Sequence, residues 1–337
     1  MINKLLSLLL LIAFLNSGCT KSKPVFENFI GFAQGSTYSV VYENTKKIDQ
    51  GELRQKVDKI LNDFDKSLSL YNDSSILSRI NRNEDAVPDS FFTEAYRKSV
   101  LVNQMTEGAF DITVGPLVRA WGFGPDAHKS FTEAKHDSLM KLIGMKKVSL
   151  INGRLIKTDP HICLDFNAIA QGYSVDVICR FFDSLGIKNY LVEIGGEVKA
   201  KGKKAGNLWR IGIDKPIDNN LTPGESLQAI LKMSNKAIST SGNYRKFYIE
   251  DGIKYSHHID PRTGYTTRNT LLSVSIITDE CAIADGVATG CLVMGKEKAI
   301  EFIGMHPTLE AYMIYSDGKG NFKTWASEKL KRYLSEP

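Results

Sequence analysis

The chain has no apolar run long enough to cross a membrane. Its conspicuous one, residues 5–15, is about a dozen residues long where a helical span needs ~20. Cysteine is scarce and poorly spaced for a metal centre. Beyond Cys19 the thiols are Cys163, Cys179, Cys281 and Cys291, with no CxxC pair among them, which argues against zinc. Charge of either sign is not in excess: the formal net charge is +5 and no basic run is sustained beyond residues 199–204. Nucleic acid is therefore not implied as a partner. No internal repeat and no low-complexity segment occurs. What is left is a globular body, and the 319 residues after position 18 suffice for one large domain or two small ones.

The N-terminus carries Lys4, the apolar run 5–15, then Asn16, Ser17, Gly18 and Cys19. That order reads as a secretory leader, and Leu15 to Cys19 resembles a bacterial lipobox. The expectation is a signal peptide over 1–18, a lipidated Cys19 that anchors the chain to a membrane, a tether over 19–28 and one catalytic domain over 29–337. Ordinary cleavage leaving a free Cys19 is the bland alternative. Thr20, where inner-membrane retention favours Asp, points to the outer membrane, with the body facing the periplasm or the outside. In that oxidising setting the four remaining cysteines allow three disulfide connectivities. Each lies in an apolar stretch, so buried free thiols are expected.

Residues 29–42 alternate well enough for one strand, with a polar interruption at 34–37. Leu53, Val57, Ile60, Leu61 and Phe64 repeat with the helical period, and a second helix is expected over 93–106. Asn167 or Asp165 can cap a helix over 168–185 that Gly186 stops. From residue 208 onward strands dominate, with Asp251-Gly252 as a hairpin turn, before helices at 281–294 and 297–303. Lys199, Lys201, Lys203 and Lys204, set among Gly202 and Gly206, read as a solvated turn. Grouped helices and sequential hairpins favour an α+β fold with a largely antiparallel sheet over a doubly wound one.

Four stretches carry the chemistry: GAFDITVGPLVRAWGFG at 108–124, LDFNAIAQGY at 164–173, ISTSGNYRKF with HHIDPRTG within 238–264, and ADGVATG at 284–290. Asp285 and Thr289, four apart on a helix, present a carboxylate and a hydroxyl on one face, a pair suited to a hard cation. By itself that spacing is common on solvated helix faces. Ala284, Gly286, Ala288 and Gly290 sharpen it by letting the helix approach a neighbour closely. Asp165 precedes a helix start, where it is either a cap or part of an anion site. Trp121 and Phe123 read as core. His257 and His258 follow a strand, and a histidine there can accept a proton near neutral pH; strand alternation would turn one of the two away.

In combination these segments resemble the ApbE family, the FAD:protein FMN transferases, over nearly all of the chain from Gln34 to Thr289. The resemblance implies a T-fold-like α+β body that binds FAD with Mg²⁺, transfers FMN to a threonine hydroxyl of a target flavoprotein and releases AMP. It implies FAD contacts at Gln34, Tyr71, Ala109, Phe110, Asp111, Asp165, Gln171, Ile259 and Ala288. It implies a metal site at Asp285, Thr289 and the Ala168 carbonyl, and His257 as the catalytic base. Gln34, Asn167 and Gln171 depart from the usual residues; losing a lysine at 171 leaves more diphosphate charge for the metal, Arg245 or Arg262 to balance. The acceptor implied is a membrane redox subunit. Two other functions remain open: hydrolysis of FAD to FMN and AMP, and flavin binding without catalysis.

Overall fold

The computed structural model describes residues 24–124, 130–218, 224–244 and 247–337; the expected leader, Cys19 and Arg245 lie outside the described residues. Its frame is an eight-stranded sheet whose spatial order follows the chain. The strands are β1 (Phe26–Ala33), β2 (Ser36–Glu43), β3 (Tyr190–Ile194), β4 (Glu197–Lys201), β5 (Lys236–Gly242), β6 (Leu271–Thr278), β7 (Glu310–Ser316) and β8 (Phe322–Ala326). Every neighbouring pair is antiparallel. The single strand expected over 29–42 is therefore a hairpin. Gln34 and Gly35 take left-handed φ values of 53° and 70°, the two-residue turn that matches strand twist, and Ala33 pairs with Ser36 across it.

Long insertions between strands supply the helices. Between β2 and β3 run α1 (Gln50–Leu68), α2 (Ser90–Met105) and α3 (Ala170–Ser184); between β6 and β7 runs α4 (Cys281–Met294). Asp49 and Asp89 cap α1 and α2 by accepting the Glu52 and Phe92 N–H groups, each at 2.8 Å, which satisfies otherwise orphaned donors. Helix α3 starts two residues later than the sequence suggests. Asp165 spends its Oδ1 on the Asn167 N–H at 2.8 Å, tightening a turn before the helix, and Ile169 stands at the cap position without a side-chain bond.

These helices cover one face of the sheet. A small sheet of Trp209–Asp214, Leu227–Met233 and Leu334–Ser335 covers the other, burying Val198, Ala200, Trp209, Leu231, Ile238 and Ile314 between the two. The α+β architecture expected from the sequence is thus the one adopted. Strand alternation then sorts β4 and β5 into two sets. Val198, Ala200 and Ile238 face the small sheet, while Glu197, Lys199, Ser239 and Ser241 bond to partners under the helices. A polar seam therefore runs through the middle of the molecule.

Lys199 and Lys201 correct the reading of a solvated turn. Both belong to β4, and their ammonium groups meet Asp176 and Asp183 of α3, each at 2.7 Å. Asp176 is 2% exposed, and its other oxygen accepts the Ala282 N–H at 3.0 Å, so one carboxylate pairs a lysine and satisfies the first turn of α4. Cys163, Cys179, Cys281 and Cys291 are all free thiols, as expected; Cys163 is half-buried and the others are buried. No helix among the described residues is long and apolar enough to cross a membrane.

Candidate functional site

Helix α4 forms where expected, and its small residues do what their size allows. A Cβ on Gly290 would stand 2.8 Å from Thr106 Cγ2, and one on Gly286 would stand 3.0 Å from Val102 Cγ1, so α4 presses against α2. On its other side α4 meets the polar seam. Asp285 and Thr289, one turn apart, match Ser239 and Ser241, two apart on β5. Ser239 Oγ donates toward Asp285 Oδ1 at 3.4 Å, and Ser241 Oγ shares a 3.1 Å hydrogen bond with Thr289 Oγ1. The second Asp285 oxygen accepts the Gly172 N–H of α3 at 3.0 Å.

Glu197 joins this group, and sequence reasoning passed over it. Its Oε1 accepts from the same Ser239 hydroxyl at 3.3 Å, while its Oε2 is buried without a partner. The signal available was a carboxylate directly after Gly195-Gly196, on the strand parity opposite to Val198. Burial pushes the Asp285 carboxyl up to about 7, against the Gly172 and Ser239 donors that pull it down. Burial also drives Glu197 well above the carboxylate range, and the nearby charge of Asp285 adds to it.

Two buried acids around one hydroxyl, with an oxygen unsatisfied, form a site short of positive charge. A hard divalent cation fits that deficit. Among the described residues no cluster of three His, Cys, Asp or Glu gathers as a metal site, so hydroxyl, carbonyl and water oxygens would have to complete the shell. Thr289 Oγ1 and the half-buried Ala168 just before α3 are chemically suitable. Ala288, next to Thr289 on α4, is fully buried.

Next to this centre opens a cavity of about 490 Å³, lined by residues that include Gln34, Tyr71, Asn167, Ala170 and Gln171. Gln34 reaches it because the β1–β2 turn brings its side chain over α3, where Ser174 Oγ donates to its Oε1 at 3.4 Å. Its Nε2 is buried with no hydrogen-bond partner, a donor awaiting an acceptor. Gln171 lies against the β3–β4 turn, since a Cβ on Gly195 would meet its Nε2 at 2.5 Å. Tyr71 stands at the rim, 66% exposed. Its phenol is pushed above the ordinary range, first by partial desolvation and then by the Asp165 charge.

The remaining expected contacts are placed differently. Ala109 and Phe110 are buried, Phe110 within the main core. Asp111 has both carboxylate oxygens occupied: Oδ1 accepts from Thr113 N at 2.8 Å and Oγ1 at 2.6 Å, and Oδ2 from Met145 N at 3.1 Å. The segment is tied to the stretch before α3, because Ile112 O accepts the Asp165 N–H at 2.7 Å. Ile259 is 5% exposed in a satellite cluster with Leu117, Trp121 and Ile143.

His257 is not among the residues lining the cavity. Its strand, Ile253–Ser256, ends before it, so alternation no longer separates the pair: the His257 and His258 rings lie 3.9 Å apart. Phe123 approaches His257 edge-on at 6.3 Å. Trp121 is core, as expected, and its indole N–H donates to Gly264 O at 2.9 Å, tying down the turn after the histidines. Arg262 is already engaged by Asp260, through Nε and Nη2 at 2.8 Å each, and so has little charge to spare for a ligand.

With this geometry in place, comparison with known proteins gives a consistent picture. The model of the ApbE family matches residues 34–313. An FAD:protein FMN transferase of Vibrio cholerae is 36% identical over 340 residues, spanning 98% of each chain. One of Salmonella typhimurium is 34% identical, spanning 96% of this chain and 95% of its own. Among solved structures, the flavin transferase ApbE from Vibrio cholerae superposes with a TM-score of 0.82 at 34% identity, over 92% of this chain and all of that one. The apo flavinyl transferase ApbE of Pseudomonas stutzeri gives 0.82 at 31% identity, over 92% and 97%.

Proposed function

Because the chain belongs to the ApbE family, we propose that it is an FAD:protein FMN transferase that moves FMN from FAD onto a threonine hydroxyl of a flavoprotein, with Mg²⁺ and release of AMP. One observation carries the reading. Gln171 lines the cavity while its neighbour Gly172 bonds to Asp285, so a cavity of about 490 Å³ adjoins a buried acid and hydroxyl pair.

In this reading Gln34, Tyr71, Asp165 and Gln171 hold FAD, with the backbone around Ala109, Phe110, Asp111, Ile259 and Ala288 shaping the walls. Asp285, Thr289 and the Ala168 carbonyl would hold Mg²⁺, which when bound supplies positive charge against the diphosphate. The acceptor threonine Oγ forms a bond to the FMN-side phosphorus. The bond from that phosphorus to the bridging oxygen breaks, and the oxygen leaves with AMP. A ring nitrogen of His257 takes the hydroxyl proton, with Phe123 limiting how the ring can turn.

The test is the intact mass of a threonine-containing acceptor domain after incubation with the chain, FAD and Mg²⁺, with AMP followed in parallel. A gain of one FMN together with AMP is expected. Asp285→Ala should abolish the gain while FAD binding persists; undiminished Mg²⁺-dependent flavinylation by that variant would sink the assignment. Residues 29–337 act as one catalytic unit in this proposal, and a lipid on Cys19 holds it on the periplasmic side, at the outer membrane. Mass analysis of the mature N-terminus checks the lipid, and an unmodified Cys19 would remove that part.

A further inference from the structure

Among the described residues, the buried polar groups that stand outside the mechanism just given include the Lys199–Asp176 pair, Asn243 with its unpartnered Oδ1, and Glu197. The first is fully accounted for by its own bonds and by the α4 N–H it satisfies. Asn243 closes the end of β5 through its backbone and Nδ2. Glu197 is different, because what it contacts is the centre itself.

We propose that Glu197 is a positioning residue of the divalent-cation centre, acting through Ser239 to fix Asp285 and adding the second negative charge that the cation answers. The inference rests on the metal reading proposed above. Glu197 is 7% exposed and enters the polar seam from the first position of β4, directly after the turn that Gly196 N and Glu193 Oε1 close at 2.8 Å. The Ser239 hydroxyl lies within 3.3 Å of Glu197 and 3.4 Å of Asp285. A hydroxyl has one proton, so it can donate to only one of the two oxygens at a time. The second contact therefore sets a carboxylate oxygen against a lone pair unless a proton or a cation lies close by.

A carboxylate kept dry with one oxygen unsatisfied costs stability unless something compensates it. Among the described residues no lysine or arginine bonds to Glu197; the lysine on the same strand face, Lys199, is committed to Asp176. A cation held by Asp285 would supply that compensation when bound. Glu197 would make that site prefer a divalent ion, since a single carboxylate leaves less charge to attract one. Ser239 links the two acids: its one proton serves either Glu197 or Asp285, and a proton settled on Glu197 would leave Asp285 Oδ1 open to the cation while Gly172 holds Oδ2.

The experiment measures Mg²⁺ binding alone, by calorimetry and by the thermal shift it produces, on the full-length wild type, Glu197→Gln, Ser239→Ala and Asp285→Asn, without acceptor. Glu197→Gln keeps the shape and removes the charge. Expected are Mg²⁺ affinity at least tenfold weaker in Glu197→Gln, a smaller loss in Ser239→Ala and no binding in Asp285→Asn. Metal-free Glu197→Gln should melt no lower than wild type, and its FAD affinity in EDTA should be unchanged. Those two readouts separate positioning from a structural role. Wild-type Mg²⁺ affinity in Glu197→Gln, with binding lost in Asp285→Asn, would overturn the inference alone. No Mg²⁺ binding by the wild type would overturn the inference and the metal reading together.

Discussion

Gly172 of α3 and Asp285 of α4 touch: the glycine N–H donates to the carboxylate at 3.0 Å, and a Cβ on the glycine would stand 2.8 Å from Asp285 Cβ and 2.4 Å from Cys281 O. The bond and the absence of a side chain belong together, because only glycine lets two helices come close enough for a backbone amide to reach that oxygen. Gly172→Ala must push the helices apart. Overpacking of this kind costs about 1–3 kcal/mol, and Asp285 loses a donor at the same time. Urea unfolding should show the loss of stability, and the initial rate of FMN transfer should fall at least tenfold. A variant with normal stability and rate would show that the contact yields freely.

The buried acids set a pH dependence in the metal-free chain. Asp285 titrates near 7 when folded against an ordinary 3.8, and Glu197 is raised in the same direction. Between those values the folded chain keeps protons that the unfolded chain has released. Stability is therefore greatest below about pH 4 as far as this pair is concerned, and falls as pH rises toward 7. Urea unfolding in EDTA at pH 5 and pH 8 measures it, and Asp285→Asn should flatten the difference. Added Mg²⁺ should stabilise more at pH 8 than at pH 5, since binding there displaces fewer protons.

Asp176 joins three elements, pairing Lys199 of β4 and accepting an N–H from the start of α4. Asp176→Ala strands a partly buried ammonium and an unsatisfied amide. Breaking one side of such a pair typically costs about 3–5 kcal/mol, and the end of α4 that precedes Asp285 should loosen with it. Equilibrium unfolding measures the first effect, and amide exchange at Ala282 and Ile283 the second. Protection unchanged at both amides would show that the cap is redundant.

Much of this was legible in the sequence where local signals were strong. Helix α4 was read residue for residue because Cys281 to Met294 is bounded by a charged segment and a glycine, and the Asp285–Thr289 spacing follows from its period. The partners of that pair were not legible. Strand β5 carries Ser239, Thr240 and Ser241, hydroxyls that look like a loop until β4 and β6 close around them. Lys199 looks like surface charge because burial of a charge depends on a partner distant in sequence, here Asp176, and no local pattern marks Glu197, whose neighbour Asp285 is a second acid. The β1–β2 turn went unread for a local reason: Gln34 is not a usual residue for left-handed φ, though Gly35 beside it is.

Tyr71 stands at the rim of the cavity, 66% exposed. An aromatic ring there can close over a bound flavin and keep bulk water from the phosphorus, leaving the acceptor hydroxyl as the nucleophile that reaches it. Tyr71→Asn removes that cover without touching Asp285, Thr289 or His257. AMP release from FAD in the absence of acceptor should rise several-fold, free FMN should appear in equal amount, and flavinylation of the acceptor should fall. The comparison requires AMP, FMN and acceptor mass from the same reaction, because transfer and hydrolysis both release AMP and only the fate of FMN separates them. If AMP without acceptor stays at the wild-type level, Tyr71 does not exclude water, and the choice between hydroxyl and water lies with the acceptor's own fit to the site.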